Sequence, residues 1–154
     1  KQHPNFRYAK LEEPLIVDKL VAIQDVIGNV VGILEGWGGS YMLEAIPVGI
    51  CGIMPGVPIA DLLDIVYKAR QRGENDRAYE LFSLLLPFIS FTLQNMELFV
   101  QVEKRLLVRR GLFVDSVCRS LSLSPSDANL LHIDFLIEQI MRICNREGTV
   151  IQSA

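Results

Sequence analysis

Lys10 is the residue in this sequence best suited to chemistry. It closes the run Phe6-Arg7-Tyr8-Ala9-Lys10-Leu11, in which strand alternation puts Phe6, Tyr8 and Lys10 on one face. If that face looks into a closed interior, loss of water favours the neutral amine, the nucleophile that attacks a carbonyl. The pattern equally allows a strand-end lysine that reaches solvent or pairs with Glu12 or Glu13.

A second stretch is Glu35-Gly36-Trp37-Gly38-Gly39-Ser40. It is a glycine-rich connection from strand to helix, where backbone can approach a ligand and N–H groups can hold a carboxylate. Gly36, Trp37 and Gly38 are its candidate substrate-binding residues. G-x-G-G is not the dinucleotide fingerprint G-x-G-x-x-G, and no phosphate-loop Lys-Ser/Thr follows, so a tight turn is the competing reading. Third comes Gly49-Ile50-Cys51-Gly52-Ile53-Met54-Pro55-Gly56, an apolar strand with small residues that admit a close neighbour. Cys51 lines a pocket there or serves as a small buried hydrophobe. His3 and His132 stand alone without ligands at metal spacing, so no metal site is expected. The charges from Glu103-Lys104-Arg105 to Arg109-Arg110 read as the solvated side of a helix ending at Gly111.

The elements that must hold these residues alternate. Extended runs at Asn5–Lys10, Val30–Leu34 and Gly49–Met54 interleave with helical runs at Leu15–Ile27, Tyr41–Ile46 and Ile59–Arg72. Such alternation predicts parallel strands with helical crossovers. A strand start roughly every 20 to 25 residues suits a (β/α) barrel or a doubly wound sheet. Pro14 is expected in the first helical turn and Gly28 at its stop, and Pro58 and Gly73 bracket the third helix alike. Leu15, Ile16, Leu20, Ile23 and Ile27 make one stripe. Beyond Gly73 the pattern predicts helices alone, at Asp76–Gln94, Glu97–Arg110 and Pro125–Asn145. Pro87 should kink or divide the first of these near Leu86. The last is capped in this reading by Ser124 in an S-x-x-D box, with Leu130, Ile133, Ile137, Ile140, Met141 and Cys144 on one face.

The 154 residues are half hydrophobic and about a fifth charged, the profile of a domain with a real core. A formal charge of -3 with dispersed basic residues argues against a nucleic-acid or anionic-membrane partner. The apolar stretches Ala45–Leu63 and Leu81–Leu93 are broken by prolines and glycines before reaching a membrane span. Cys51, Cys118 and Cys144 are odd in number and widely spaced, which fits a reducing, cytoplasmic setting better than a disulfide framework. The opening KQHPNFRY has neither an initiator Met nor a signal-peptide layout and reads as the interior of a longer protein.

The wording FRYAKLEEP, GWGGSYMLEAIPVGICGIMPG and VEKRLLVRRGLF resembles the C-terminal half of the dihydrodipicolinate synthase and N-acetylneuraminate lyase family. The resemblance implies the last three βα units of a (β/α)8 TIM barrel over residues 1–72, a C-terminal helical extension over 73–147 and a flexible tail over 148–154. It makes Lys10 the Schiff-base lysine at the end of the sixth barrel strand, although Leu11 interrupts the family's usual lysine-acid wording. It places Gly36 and its neighbours in the substrate loop and Cys51 beside the lysine. The implied activity is that of a lyase on a 2-oxo acid such as pyruvate, by aldol cleavage, condensation or dehydration, with no cofactor or metal. A homo-oligomer, tetramer or dimer, is implied too. The family's first five strands, its proton-relaying tyrosine and its G-x-x-G-E carboxylate loop have no counterpart here, so an N-terminal half is expected as partner. The competing expectation is a binding, regulatory or oligomerisation module that keeps the fold without the chemistry.

Overall fold

The structure is a computed structural model that describes His3 and residues 5–149. Its element order is β1 (Tyr8–Leu11), α1 (Ile16–Ile27), β2 (Gly32–Glu35), α2 (Met42–Ala45), β3 (Gly52–Ile53), α3 (Ala60–Gln71), α4 (Asn75–Thr92), α5 (Met96–Arg109) and α6 (Asp127–Glu147). The chain divides into two compact units. One joins the chain up to Pro55 to Leu63–Glu80, and the other joins Gly56–Leu62 to the chain from Leu81 onward.

In the first unit the strands form a parallel sheet in the order β1-β2-β3. This is the expected consequence of strands linked by helical crossovers. Lys10 pairs with Leu34, and Leu34 with Gly52. The two faces differ: Ile33 and Glu35 are buried, whereas Tyr8 and Lys10 are exposed and Gly32, Leu34 and Gly52 are intermediate. The side of the sheet that carries Lys10 is therefore the open one. Ile16 and Leu20 bury the α1 stripe, but Leu15 and Ile27 at its ends are exposed. Leu15 precedes the helix in a left-handed conformation (φ 56°). Pro14 thus stands outside the first helical turn that the sequence assigned to it. Gly28 stops α1 as expected (φ 64°), its N–H donating to the Gln24 carbonyl. The third strand is far shorter than Gly49–Met54. Pro47 diverts the chain into a 3-10 turn, Ile46–Val48, and Gly49 adopts φ 108° before the pairing starts.

The second unit is helical. The α4 helix runs through Pro87 undivided. Asn95 caps α5 by accepting from the N–H groups of Glu97 (2.8 Å) and Leu98 (3.2 Å). Ser126, not Ser124, caps α6, since helix begins only at Asp127 and the hydroxyl two residues earlier lies too far back to reach its amides. The buried stripe of α6 is Ile133, Leu136, Ile137, Ile140, Ile143 and Cys144, with Leu130 and Met141 only half covered. The α5 charges do not all face solvent as expected. Glu103 and Arg110 are buried beside Leu106 and Leu107, because three-to-four spacing returns all four to one face of the helix. Of the expected tail, Gly148 ends α6 at φ 69°, and residues 150–154 lie outside the described residues.

Candidate functional site

The site takes shape at the C-terminal ends of the strands, where parallel α/β sheets place their ligand-binding loops. Lys10 is the penultimate residue of β1, and its aliphatic stem lies across Gly36, the residue that follows β2. A Cβ added at Gly36 would stand 2.6 Å from Lys10 Cγ, 2.7 Å from Lys10 Cε and 2.9 Å from the Leu11 carbonyl oxygen. Only glycine leaves room for this contact, so Gly36 and Lys10 are brought together as a pair. The Lys10 Nζ meets Glu12 Oε2 at 2.7 Å, with both side chains half-exposed. The alternative open in the sequence, a pairing of Lys10 with Glu12, is thus what this conformation contains.

Glu35 is the residue of this region to which the sequence reading gave no role. It ends β2 with its side chain fully buried. Its carboxylate accepts the Trp37 N–H on Oε1 (3.0 Å) and the Gly39 N–H on Oε2 (2.7 Å). Burial pushes this carboxyl above the usual range, while the N–H donors and the charge of Lys10 pull the other way. The backbone amides of Trp37 and Gly39, expected to be free to hold a substrate carboxylate, are therefore already occupied by a group of this chain. Left-handed φ angles at Gly38 (67°) and Gly39 (90°) let the loop close over Glu35. An acidic residue directly before a turn rich in glycine was the available signal, since such a side chain can bond amides a few residues on.

Trp37 is partly exposed, at 38%. Cys51 does not share a register position with Lys10, which is opposite Gly52 by way of Leu34. The Cys51 thiol instead sits one layer earlier with Tyr8 and Gly32, since a Cβ at Gly32 would meet Cys51 Sγ at 2.8 Å and the Tyr8 ring at 2.7 Å. It is exposed and donates to the Ile33 carbonyl at 3.2 Å. A cavity of about 480 Å³ opens at the opposite, N-terminal end of the strands, lined by His3, Phe6, Arg7, Tyr8 and Val30–Gly32. It borders Tyr8 and Gly32, the layer of Cys51, and not Lys10 itself. In the second unit His132 meets the Phe91 ring edge-on at 4.9 Å, a packing role. Among the described residues no three His, Cys, Asp or Glu side chains gather as a metal site, and no helix is long and apolar enough to cross a membrane.

Set against solved structures, the chain matches a dihydrodipicolinate synthase from Rhodopseudomonas palustris with a TM-score of 0.75 and 28% sequence identity. The match covers 86% of this chain and 45% of that one. The chain is similar to part of a dihydrodipicolinate synthase. A 4-hydroxy-tetrahydrodipicolinate synthase from the methanotroph Methylacidiphilum fumariolicum SolV matches with a TM-score of 0.68 over 96% of this chain and 48% of that one, and at 19% identity it speaks for the fold. The chain thus spans less than half the length of the synthases it matches. No family model and no curated protein matches it. The parallel three-stranded sheet with its helices is accordingly a partial synthase-like fold, and the chain is similar to part of a lyase.

Proposed function

We propose that the chain is part of a lyase that acts on 2-oxo acids through a Schiff base on Lys10. The observation that carries this reading is the place of Lys10: near the C-terminal end of a parallel strand, on the open face of the sheet, with its stem laid over Gly36, in a chain similar to dihydrodipicolinate synthases. In this proposal residues 1–72 are the last three βα units of a (β/α)8 barrel and 73–147 its helical extension. The open face is then the barrel interior. Phe6 ahead of β1, Tyr8 on β1 and Val21 and Val26 on α1, all exposed here, would be covered by the strands and helices of the other half.

The chemistry follows from an amine in that setting. The Lys10 Nζ leaves Glu12 and adds to the ketone carbon of a pyruvate-type acid, and the carbinolamine loses water to give the imine. Protonated, that imine is an electron sink. It accepts the electron pair released when the C3–H bond or the C3–C4 bond breaks, yielding an enamine with either a proton or an aldehyde set free. Gly36, Trp37 and Gly38 form the neighbouring loop and Cys51 the floor one layer below. The amides of Trp37 and Gly39 are held by Glu35, so the substrate carboxylate is bound by groups outside this loop. Leu84, Phe135 and Leu136 border an apolar cleft of about 420 Å³ between α4 and α6, a face suited to the homo-oligomer that the resemblance implies.

Borohydride reduction in the presence of pyruvate, followed by peptide mapping, tests the proposal. A reduced adduct on Lys10, absent from Lys10→Ala, is the expected result. An adduct that persists in Lys10→Ala removes Lys10 from the mechanism. A second reading, a binding module without the chemistry, is favoured by the 2.7 Å ion pair that engages Nζ. No adduct on any lysine, in the chain or in a longer form that completes the barrel, selects that reading.

A further inference from the structure

We propose that Glu35 is a positioning residue for Lys10, acting through the loop between β2 and α2; the role rests on the reading of Lys10 as the imine-forming lysine. Glu35 is a carboxylate with no exposure at all, on the covered face of the sheet, opposite to the side that carries Lys10. A buried carboxylate is retained only where hydrogen bonds repay its lost hydration. Here both oxygens take backbone donors from one loop, Trp37 N at 3.0 Å and Gly39 N at 2.7 Å. The loop is wound around the side chain of the residue that precedes it.

Gly36 is caught between these bonds and the sheet. On its other side its own N–H donates to the Leu11 carbonyl at 2.8 Å, extending the β1–β2 pairing by one residue. With the amides at 37 and 39 bonded to Glu35 and its own amide bonded to Leu11, Gly36 is held from both sides. It is the surface on which the Lys10 stem rests, close enough that a single added carbon would overlap Cγ and Cε. Glu35 touches neither substrate nor Nζ in this arrangement. It acts by keeping the Gly36 backbone flat against Lys10, and so sets where Nζ points.

The same loop carries the only tryptophan of the chain, so fluorescence excited selectively at tryptophan reports on it alone. The test compares wild type, Glu35→Gln and Glu35→Asp by acrylamide quenching of Trp37 and by competitive acylation of lysines read by mass spectrometry, with Lys19 and Lys68 as internal references. Gln keeps the size but offers a single acceptor oxygen, so one of the two loop amides loses its partner. Asp keeps both acceptors on a shorter arm. The expected result is a rise in Trp37 quenching and a several-fold change in Lys10 acylation relative to Lys19 and Lys68 in Glu35→Gln, with Glu35→Asp nearer to wild type. Unchanged quenching and unchanged relative acylation in Glu35→Gln would overturn the proposal. So would an equal change at all three lysines, which marks general loosening. Pyruvate trapping on the wild type separates the two claims: its failure removes the Schiff-base reading and leaves the loop measurement standing.

Discussion

Glu103 is a buried carboxyl in a helical core, and its replacement by Gln gives a sharp test of how the second unit is held. The side chain is 7% exposed. Among the described residues its Oε2 has no hydrogen-bond partner, and the carboxyl presses on Gly56, where an added Cβ would overlap its atoms. Burial alone pushes it from 4.5 up to about 8. The unfolded chain therefore gives up this proton near 4.5, while the folded chain keeps it to about 8. Between those values the unfolded state binds fewer protons, so stability falls as pH rises through the window and levels off above about 8. At about 1.36 kcal/mol per pH unit the loss is roughly 5 kcal/mol, an upper figure because water drawn in on ionisation relieves part of it. Glu103→Gln removes the titration and nearly keeps the shape. Urea unfolding of both proteins at pH 5, 7 and 9 cancels every other group in the difference. The variant is expected to gain on wild type steadily with pH, reaching several kcal/mol at pH 9. A difference that stays flat from pH 5 to 9 refutes the reasoning, since it means that Glu103 is already ionised and solvated in the folded protein.

Two further outcomes follow from the geometry. Gly36→Ala sets a methyl against Lys10 and the Leu11 carbonyl, and of these only the lysine can yield; a cost of about 1–3 kcal/mol in urea unfolding is expected, with changed acylation of Lys10 and loss of any pyruvate adduct. Arg110 is 4% exposed and donates to Asp61 through Nη1 (2.9 Å) and Nη2 (2.5 Å), to the Thr149 carbonyl (2.7 Å) and to the Pro58 carbonyl. Burial works to raise the Asp61 carboxyl, but the Arg110 bonds and charge outweigh it and hold it below the ordinary 3.8. Its contribution is accordingly present above pH 3.8 and lost as pH falls through the lowered value. Arg110→Ala is expected to cost about 3 kcal/mol in urea unfolding and to abolish that acid-side dependence. Arg110→Lys, which lacks the planar fork, should recover only part of the loss.

Local patterns made the order of elements legible. Alternating apolar runs and the glycines at 28, 73 and 111 place the helices within a residue or two, because period and left-handed stops are properties of the chain itself. The same holds for the parallel sheet, which the crossover helices dictate. Details that depend on how the backbone turns into a strand, or on how segments meet across the sheet, were not legible. The third strand shrank to two residues because Pro47 and Gly49 turn the backbone first. Cys51 fell a layer away from Lys10 through the register of β2 with β3.

What the sequence determined by itself is therefore the alternation of elements, the glycine stops of its helices and the presence of a lysine at a strand end and of a glycine-rich turn after the next strand. Tertiary structure decided which charges are buried. Glu103 and Arg110 stand in a run that looks solvated, and Glu35 looks like one more surface acid before a turn. Periodicity says which residues share a face, but only packing says which face loses water. An acid or a base becomes informative when it has lost its water and must find partners in the fold.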